Sequence, residues 1–278
     1  MGVSMRFLNR RPSLAVGYAL TLLPFVLVLF VYMGASDIRL AENPSDKILP
    51  APSTIVATAE RLVGQPDKRS GEILFWNDTG ISLIRLALGV GIAALTGLGA
   101  GLLIGLFPYM RSTFSGFVAV LSMVPPLAIL PILFIAFGLG EVSKVALIAI
   151  GITPFLIRDL SQRTVEIPSE QIVKAQTLGA SSLAIALRVV LPQLLPRLIQ
   201  GVRLALGPAW LFLIAAEAIA AEAGLGYRIF LVRRYLAMDI ILTYVAWITF
   251  LAFVIDLLLR TAGRRLFPWA EPTGGAGL

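Results

Sequence analysis

Cysteine and histidine are both missing from the 278-residue chain. Their absence excludes disulfides, thiol catalysis, Cys/His sites for zinc or haem, and any catalytic triad that needs an imidazole base. Charged residues are scarce as well, because they make up 14% of the chain, against about 25% in an ordinary soluble domain. So few charges cannot cover the surface of a soluble protein of this size.

Hydrophobic residues, in contrast, make up 58% of the chain, and the mean hydropathy is +0.88. The net charge of +7 could indicate a nucleic-acid partner, but the basic residues form no continuous stripe. We therefore expect no nucleic-acid binding. The composition predicts an all-α integral membrane protein surrounded by membrane lipid.

Apolar stretches of membrane length predict the spans, since a bilayer core about 30 Å thick needs about 20 helical residues. The first stretch resembles a signal peptide that ends in small residues, but it is about twice as long as a usual signal sequence core, so we favour an uncleaved span. The fourth stretch is short unless its neighbours extend it. The six predicted transmembrane helices are 15–33, 81–107, 114–137, 145–157, 201–221 and 240–259.

Basic residues predict the orientation of these spans. Six spans place the N-tail 1–14 and the C-tail 268–278 on one side, and that side carries 13 Lys and Arg residues against 9 on the other. The positive-inside rule then places both termini in the cytoplasm. Residues 15–267 are predicted to form a single transmembrane domain with a periplasmic segment at 34–78, in which only 53–63 has an amphipathic helical pattern.

Residues 158–200, between the fourth and fifth spans, are too polar to cross the membrane and too regularly patterned for a slack loop. Pro168 suits the start of a helix. Ala175 and Leu178 continue an apolar stripe along this helix, and Gly179 suits its C-terminal cap.

A second helix is predicted directly after this glycine. Ser181 or Ser182 can cap its N-terminus, and Leu191-Pro192 is expected to end it. Two short helices that meet at a glycine predict a rigid cytoplasmic knob, although an ordinary surface hairpin has the same periodicity.

The segment Lys174-Ala175-Gln176-Thr177-Leu178-Gly179, followed after nine residues by Val189-Val190-Leu191-Pro192, resembles the coupling loop of ABC-importer permeases. The family pattern is Glu-Ala-Ala, three residues, Gly, nine residues, Ile, any residue, Leu-Pro. Val173 and Lys174 depart from it, because they replace the Glu and the first Ala. The residues that the resemblance assigns to ATPase coupling are Ala175, Leu178, Gly179, Leu191 and Pro192.

Three further segments resemble the nitrate/sulfonate/taurine branch of binding-protein-dependent transport permeases, and the similarity covers about residues 50–270. They are Ser122-Met123-Val124-Pro125-Pro126-Leu127-Ala128, Phe137-Gly138-Leu139-Gly140 and Gly224-Leu225-Gly226-Tyr227. The resemblance implies a permease homodimer in the bacterial inner membrane. Its coupling loops would sit on two cytoplasmic ATP-binding subunits, and a periplasmic or lipid-anchored solute-binding protein would deliver the solute.

The chain contains no Gly-x-x-x-x-Gly-Lys-Ser/Thr sequence and therefore has no phosphate-binding loop of its own. We expect it to be a transport subunit and not an enzyme, with no cofactor and no metal site. ATP and Mg are expected on the partner ATPase.

Three prolines, Pro125, Pro126 and Pro131, are expected to interrupt the third span. The backbone carbonyls that they free are tolerable only against protein or a water-filled cavity. The interruption predicts either a translocation pathway, with Ser122 and Met123 as its nearest lining residues, or a purely structural kink.

Charged residues inside spans are functional candidates because burying them is expensive. Glu217 in the fifth span predicts a pathway residue or a polar contact that fixes the dimer, and Glu222 follows near the outer mouth of the pathway. Asp256 is expected to pair with Arg260 four residues on. Arg85 either extends toward the membrane surface or meets an acid on another helix.

Glycines in the second span superficially resemble a dinucleotide-binding fingerprint, but no soluble strand precedes them. Gly97, Gly101 and Gly105 repeat every four residues, with Gly99 between them. This spacing predicts close packing of another helix backbone.

These features predict the membrane subunit of an ATP-driven importer that works by alternating access. The alternative is an ion- or proton-coupled secondary transporter, but the internal repeats and paired interrupted helices common in that class are not evident here. An intramembrane enzyme would need a nucleophile, a base or metal ligands in a plausible constellation, and none is found.

The charge pattern also bears on the solute. The third and sixth spans contain no Lys or Arg, and the fifth has only Arg203 at its cytoplasmic end, whereas Glu217 and Glu222 are both acidic. We therefore favour a neutral or cationic nitrogen compound, such as a urea- or guanidine-like solute, over an anion of the nitrate, sulfonate or taurine type.

Overall fold

The computed structural model describes residues 12–44, 46–67 and 71–270, and all the regular structure in these ranges is helical. Most of the two predicted tails, 1–11 and 271–278, lies outside the described residues. The α-helices in the described ranges are α1 Leu14–Glu42, α2 Pro52–Gly64, α3 Leu74–Leu106, α4 Pro108–Leu121, α5 Leu130–Phe137, α6 Glu141–Val165, α7 Ser169–Thr177, α8 Ser182–Ile185, α9 Leu191–Ala220, α10 Leu225–Arg233 and α11 Met238–Leu266. The all-α prediction is confirmed for these residues.

Within the described residues, four helices are long and apolar enough to cross a bilayer: α1, α3, the continuous helix 182–220, and α11. A fifth candidate is the pair formed by α4 and the helical segment 126–137, if the two are counted as one broken span. The predicted fourth span lies in α6, where charged residues at both ends shorten the apolar part. A multi-pass membrane protein is supported, whereas the count of six spans, and with it the crossing by the fourth predicted span, stays a prediction.

The predicted interruption of the third span is confirmed. α4 ends at Leu121, residues 122–125 are not helical, and a 3₁₀ turn at Pro126–Ile129 leads into α5. The two halves are bent by 82° relative to each other.

The helix that was predicted to end at Leu191-Pro192 does not end there, so this prediction is wrong. A π-helical turn at Ala186–Val190 joins α8 to α9, and the helix continues to Ala220. The wider π turn makes room for a proline ring, and Pro192 then lies in the first turn of α9, where its missing N–H costs little.

α3, α6 and α9 pack together at the centre of the subunit. A side chain at Gly97 would meet Leu156 of α6 at 2.7 Å, and one at Gly101 would meet Leu160 at the same distance, whereas Gly99 faces open space. The predicted close packing is therefore confirmed. Gly105 contacts α6 in the same way, and Gly89, two turns before Gly97, contacts Ile148 of α6.

α1 stands apart from this centre, because Gly17 and Ser36 are its buried residues. The hydroxyl of Tyr32 donates to the carbonyl of Pro50 at 2.7 Å, and the Ser36 hydroxyl donates to the carbonyl of Leu49 at 3.0 Å. These two bonds tie the C-terminal half of α1 to the segment that leads into α2.

The segment between α1 and α2 is ordered by local polar contacts. Asp46 accepts hydrogen bonds from the backbone N–H of Ile48 and from Arg39, and both lower the pKa of the Asp46 carboxyl. α2 matches the predicted amphipathic helix, and it is anchored to α11 by a 2.8 Å bond from the Thr58 hydroxyl to Asp239.

Candidate functional site

A cluster of charged and polar side chains joins four helices at the end of the subunit where α3 and α6 begin and α9 ends. α7 and α8 lie at the opposite end of these helices. The cluster, called here the polar network, consists of Asp78, Ser82, Arg85, Glu141, Lys144, Glu217 and Arg228.

Arg85 lies at the centre of the polar network and is 4% exposed. Its Nε and Nη2 donate to the two carboxylate oxygens of Glu141 at 2.5 and 2.6 Å. Its Nη1 donates to Glu217 and to the carbonyl of Ala223, both at 2.8 Å. Of the two alternatives for Arg85, the contact with acids on other helices is the one that the structure shows.

Glu217 is fully buried, and both of its carboxylate oxygens have partners within the same subunit. It accepts hydrogen bonds from the Ser82 hydroxyl at 2.7 Å, from Arg85 at 2.8 Å and from the backbone N–H of Gly226 at 2.8 Å. Its predicted roles in the pathway or the dimer stay predictions. The contacts add a bracing role between α9, α3 and α10 that the sequence analysis missed.

The start of α10 is capped by side chains from distant helices. The backbone N–H groups of Gly224 and Leu225 donate to Asp78 at 2.8 Å and to Ser82 at 2.9 Å. Arg228 binds the other oxygen of Asp78 at 2.7 Å. Asp78, Ser82 and Arg85 follow the i, i+4, i+7 spacing of one helix face, and this polar stripe on an apolar helix was the available sequence signal.

The two glycines of Gly224-Leu225-Gly226-Tyr227 allow Glu217 to approach. Gly224 has φ +125°, and a side chain there would meet the Glu217 carboxyl at 2.5 Å. A side chain at Gly226 would meet the carbonyl of Ile214 at 2.7 Å. This part of the family-like motif therefore serves close backbone packing.

A cavity of about 810 Å³ lies beside the polar network. Arg85, Glu141 and Lys144 line it together with Glu222 and apolar residues of α3. Lys144 Nζ donates to Glu141 at 3.1 Å and to the carbonyl of Leu139 at 3.3 Å. Glu222 is exposed at this cavity, whereas Glu217 does not line it.

A smaller cavity of about 220 Å³ lies at the break between α4 and α5. Ser122 and Pro126 line it, whereas Met123 and Pro125 are exposed and do not. The Ser122 hydroxyl donates to the carbonyl of Ala119 at 2.7 Å and accepts from Arg158 at 2.9 Å. The role of these cavities and their lining residues in the translocation pathway stays a prediction.

The predicted cap of α7 is present. Gly179 has φ +83°, its N–H donates to the carbonyl of Gln176, and the N–H of Ala180 donates to the carbonyl of Ala175. This pair of bonds is a Schellman motif. Of the two candidate serines, Ser181 is the N-cap of α8, because its hydroxyl accepts from Ala184.

The hairpin, defined as α7, α8 and the turn between them, packs on the rest of the subunit through part of its apolar stripe. Ala175 packs against a buried cluster that includes Leu160 and Leu194. Leu178 does not join it and is 80% exposed. The predicted apolar stripe is thus only partly buried in the subunit, and the coupling role of Leu178 stays a prediction.

Asp256 pairs with Arg203 and not with Arg260 as predicted. Nε and Nη2 of Arg203 donate to the two carboxylate oxygens at 2.7 and 2.8 Å. Arg203 lies on a facing helix and binds both carboxylate oxygens, and such a bidentate pair is stronger than a single hydrogen bond. The pair therefore joins α9 to α11.

Comparison with known proteins agrees with the architecture. Residues 93–270 match the family described as "Binding-protein-dependent transport system inner membrane component". The chain is 33% identical over 262 residues to the taurine transport system permease protein TauC of Escherichia coli (strain K12), which covers 94% of this chain and 91% of the relative. It is 32% identical over 238 residues to the putative aliphatic sulfonates transport permease protein SsuC of Bacillus subtilis (strain 168), covering 83% and 81%.

The fold is also similar to that of a solved structure of the MetNI methionine ABC transporter in inward facing conformations. The TM-score is 0.61 at 21% identity, with 72% of this chain and 97% of that chain covered. Together these findings define the permease component of an ABC importer in the inner membrane. The chain belongs to the binding-protein-dependent transport system inner membrane component family, in the nitrate/sulfonate/taurine branch.

Proposed function

We propose that the chain is the membrane subunit of an ATP-driven importer for small organic sulfonates, with taurine and alkanesulfonates as the first candidates. The observation that carries this proposal is the 33% identity to the taurine permease over 94% of the chain. The sulfonate permease, with 83% of this chain covered, supports the same class of solute.

The charges of the site weaken the competing hypothesis of a cationic or neutral nitrogen compound. That hypothesis treats Glu217 and Glu222 as free carboxylates facing the solute. Glu217 is instead paired with Arg85, and Arg85 and Lys144 line the same cavity as Glu222. We therefore favour the anion.

The hairpin is proposed to dock on a cytoplasmic ATP-binding subunit. Leu178 is 80% exposed at the end of α7, and Gly179 fixes the turn beside it. In a homodimer, closure of two ATPase subunits would bring two hairpins together and re-pack the spans around the solute. A binding protein would deliver the solute to the opposite face, and nothing among the relatives favours a secondary transporter.

Uptake into proteoliposomes tests the proposed solute and energy source. The chain is reconstituted with its ATP-binding subunit and its binding protein, and labelled taurine and ethanesulfonate are offered with and without ATP. ATP-dependent accumulation is expected. Uptake of ethylguanidinium in place of both sulfonates would contradict the solute class, and uptake driven by an ion gradient without ATP would contradict the importer class.

Cysteine labelling tests the proposed cytoplasmic termini and the crossing by the fourth predicted span, since this chain contains no cysteine of its own. Ser182→Cys in the hairpin and Lys47→Cys after α1 are both exposed positions. In intact cells an impermeant thiol reagent is expected to label Lys47→Cys alone. Labelling of Ser182→Cys alone would reverse the orientation, and labelling of both would place an even number of spans between them instead of the predicted three.

A further inference from the structure

The cavity beside the polar network contains two buried cations that are bound by a carboxylate exposed at the subunit surface. The side chains of Arg85 and Lys144 are 5% and 4% exposed, whereas that of Glu141 is 62% exposed. Glu141 accepts two hydrogen bonds from Arg85 and one from Lys144. The cations are thus fixed in the wall, and their shared anion lies at its edge.

Glu217, the second acid bound to Arg85, cannot turn away from it as the exposed Glu141 can. Glu217 is fully buried and holds Ser82, Arg85 and Gly226. If Glu141 turned toward water, Arg85 would keep its ion pair with Glu217, whereas Lys144 would lose the acid with which it pairs among the described residues. An unpaired buried charge is unfavourable, so another anion would bind there in its place.

We propose that Arg85 and Lys144 form a binding site for the sulfonate group of the solute, and that the carboxylate of Glu141 occupies this site until the solute displaces it. The identity of the ligand rests on the proposed function. The Nε and Nη2 groups of Arg85 donate in parallel to Glu141, and two sulfonate oxygens offer acceptors of similar spacing. The ammonium of Lys144 provides a donor for a further oxygen.

The surroundings of the two cations suit a short alkyl chain. Ile84 and Leu88 of α3 line the same cavity of about 810 Å³, which lies in the size range of small-molecule sites. The cavity is at the end of the subunit distant from the hairpin. Since Glu141 is the first residue of α6 and Arg85 belongs to α3, displacement of Glu141 also releases an ion pair between these helices.

Equilibrium binding of labelled ethanesulfonate tests the site directly. The full-length chain is assembled with its ATP-binding partner in lipid nanodiscs, without the binding protein. Glu141→Gln is expected to bind about tenfold more tightly than wild type, because the competing carboxylate is gone and the fraction of open site rises. Adding Lys144→Gln to this variant is expected to reverse the gain.

Asp256→Asn is the control, because it also removes one carboxylate charge, and Asp256 pairs with Arg203 away from this cavity. It is expected to leave the affinity within about twofold of wild type, well under the 1.4 kcal/mol of a tenfold change. Equal melting temperatures of the variants show that the fold is intact.

The outcomes separate this site from the proposed function. If Glu141→Gln binds ethanesulfonate no more tightly than wild type while ATP-driven sulfonate uptake is normal, the site is wrong and the function stands. If Glu141→Gln binds bicarbonate tightly and ethanesulfonate not at all, the anion site stands and the sulfonate class is wrong. Tight binding of ethylammonium by wild type, lost in Glu141→Gln, would overturn both.

Discussion

The two ends of the subunit hold their short helices by different means. At the polar network, the first backbone N–H groups of α10 are capped by a carboxylate and a hydroxyl of α3, which lie about 145 residues earlier in the chain. At the hairpin, the C-terminus of α7 is capped by local backbone hydrogen bonds at Gly179. The N-terminus of α8 is capped by the adjacent Ser181 side chain.

Because of this difference, one end of the subunit is fixed by buried contacts, whereas the other keeps a defined shape with exposed side chains. The polar network buries Glu217 and Arg85 almost completely and fixes four helices relative to one another. The hairpin keeps its shape by local bonds, and Leu178 and Leu183 therefore remain exposed at 80% and 68%. Local capping therefore suits a hairpin that binds a partner, because its apolar side chains stay accessible while its backbone keeps its shape.

The largest expected effect is at the centre of the polar network. Glu217→Leu leaves Arg85 and the N–H of Gly226 without their buried acceptor, and removal of one partner of a buried ion pair costs about 3–5 kcal/mol. The melting temperature of the purified subunit should fall accordingly. Glu222→Leu is the control, with an expected change within about 0.5 kcal/mol; equal losses in the two variants would contradict the bracing role.

A smaller loss is expected from a single methyl group at the same end. In Gly226→Ala the added carbon would lie 2.7 Å from the carbonyl of Ile214, and the backbone shift should cost about 1–3 kcal/mol. Gly207→Ala in α9 adds the same carbon in open space and should be neutral or stabilising by up to about 1 kcal/mol. Similar melting temperatures for both variants would argue against tight packing at Gly226.

At the hairpin the expected cost comes from the backbone alone. Gly179 faces open space, so Gly179→Ala should cost about 1–2 kcal/mol through its positive φ. We expect lower stimulation of ATP hydrolysis by the binding protein and a decrease of the melting temperature by only a few degrees. Gly179→Asn should retain more stimulation, because Asn tolerates this conformation better. Wild-type stimulation in Gly179→Ala would contradict the docking role, and Gly99→Ala, also facing open space, is the control.

The smallest effect is expected for the ion pair between α9 and α11. The side chains of Arg203 and Asp256 are 29% and 42% exposed, so Asp256→Asn should cost less than about 1 kcal/mol and matter less at high salt. Melting temperatures of wild type and variant at two salt concentrations measure the loss of stability and its dependence on salt. A loss as large as that of Glu217→Leu would show that burial does not distinguish the two pairs.

Structural features that depend on residues close together in the sequence could be predicted. Gly179 and Ser181 lie beside the groups that they cap, and Gly97 and Gly101 repeat at the spacing of one helix face. The prolines around Pro125 interrupt their own helix. In each case the residues that carry the signal lie within a few positions of one another, even where, as at Gly97, the helix they pack against is distant in sequence.

Features that depend on distant partners could not be predicted. Asp78 gave no sign that it would cap Gly224, and Arg203 gave none that it would replace Arg260 as the partner of Asp256. Such pairs form only when helices are brought together by packing. The sequence showed that these charges needed partners but did not show which ones.

The span of sequence that the polar network bridges also constrains how the subunit is made. Arg85 is separated from Glu217 by 132 positions, and Asp78 from Arg228 by 150. At about 5–20 residues per second, synthesis of the intervening chain takes on the order of ten seconds. During that interval α3 has left the ribosome without its acidic and basic partners, so its polar face must stay hydrated or sheltered at the insertion machinery until α9 and α10 arrive.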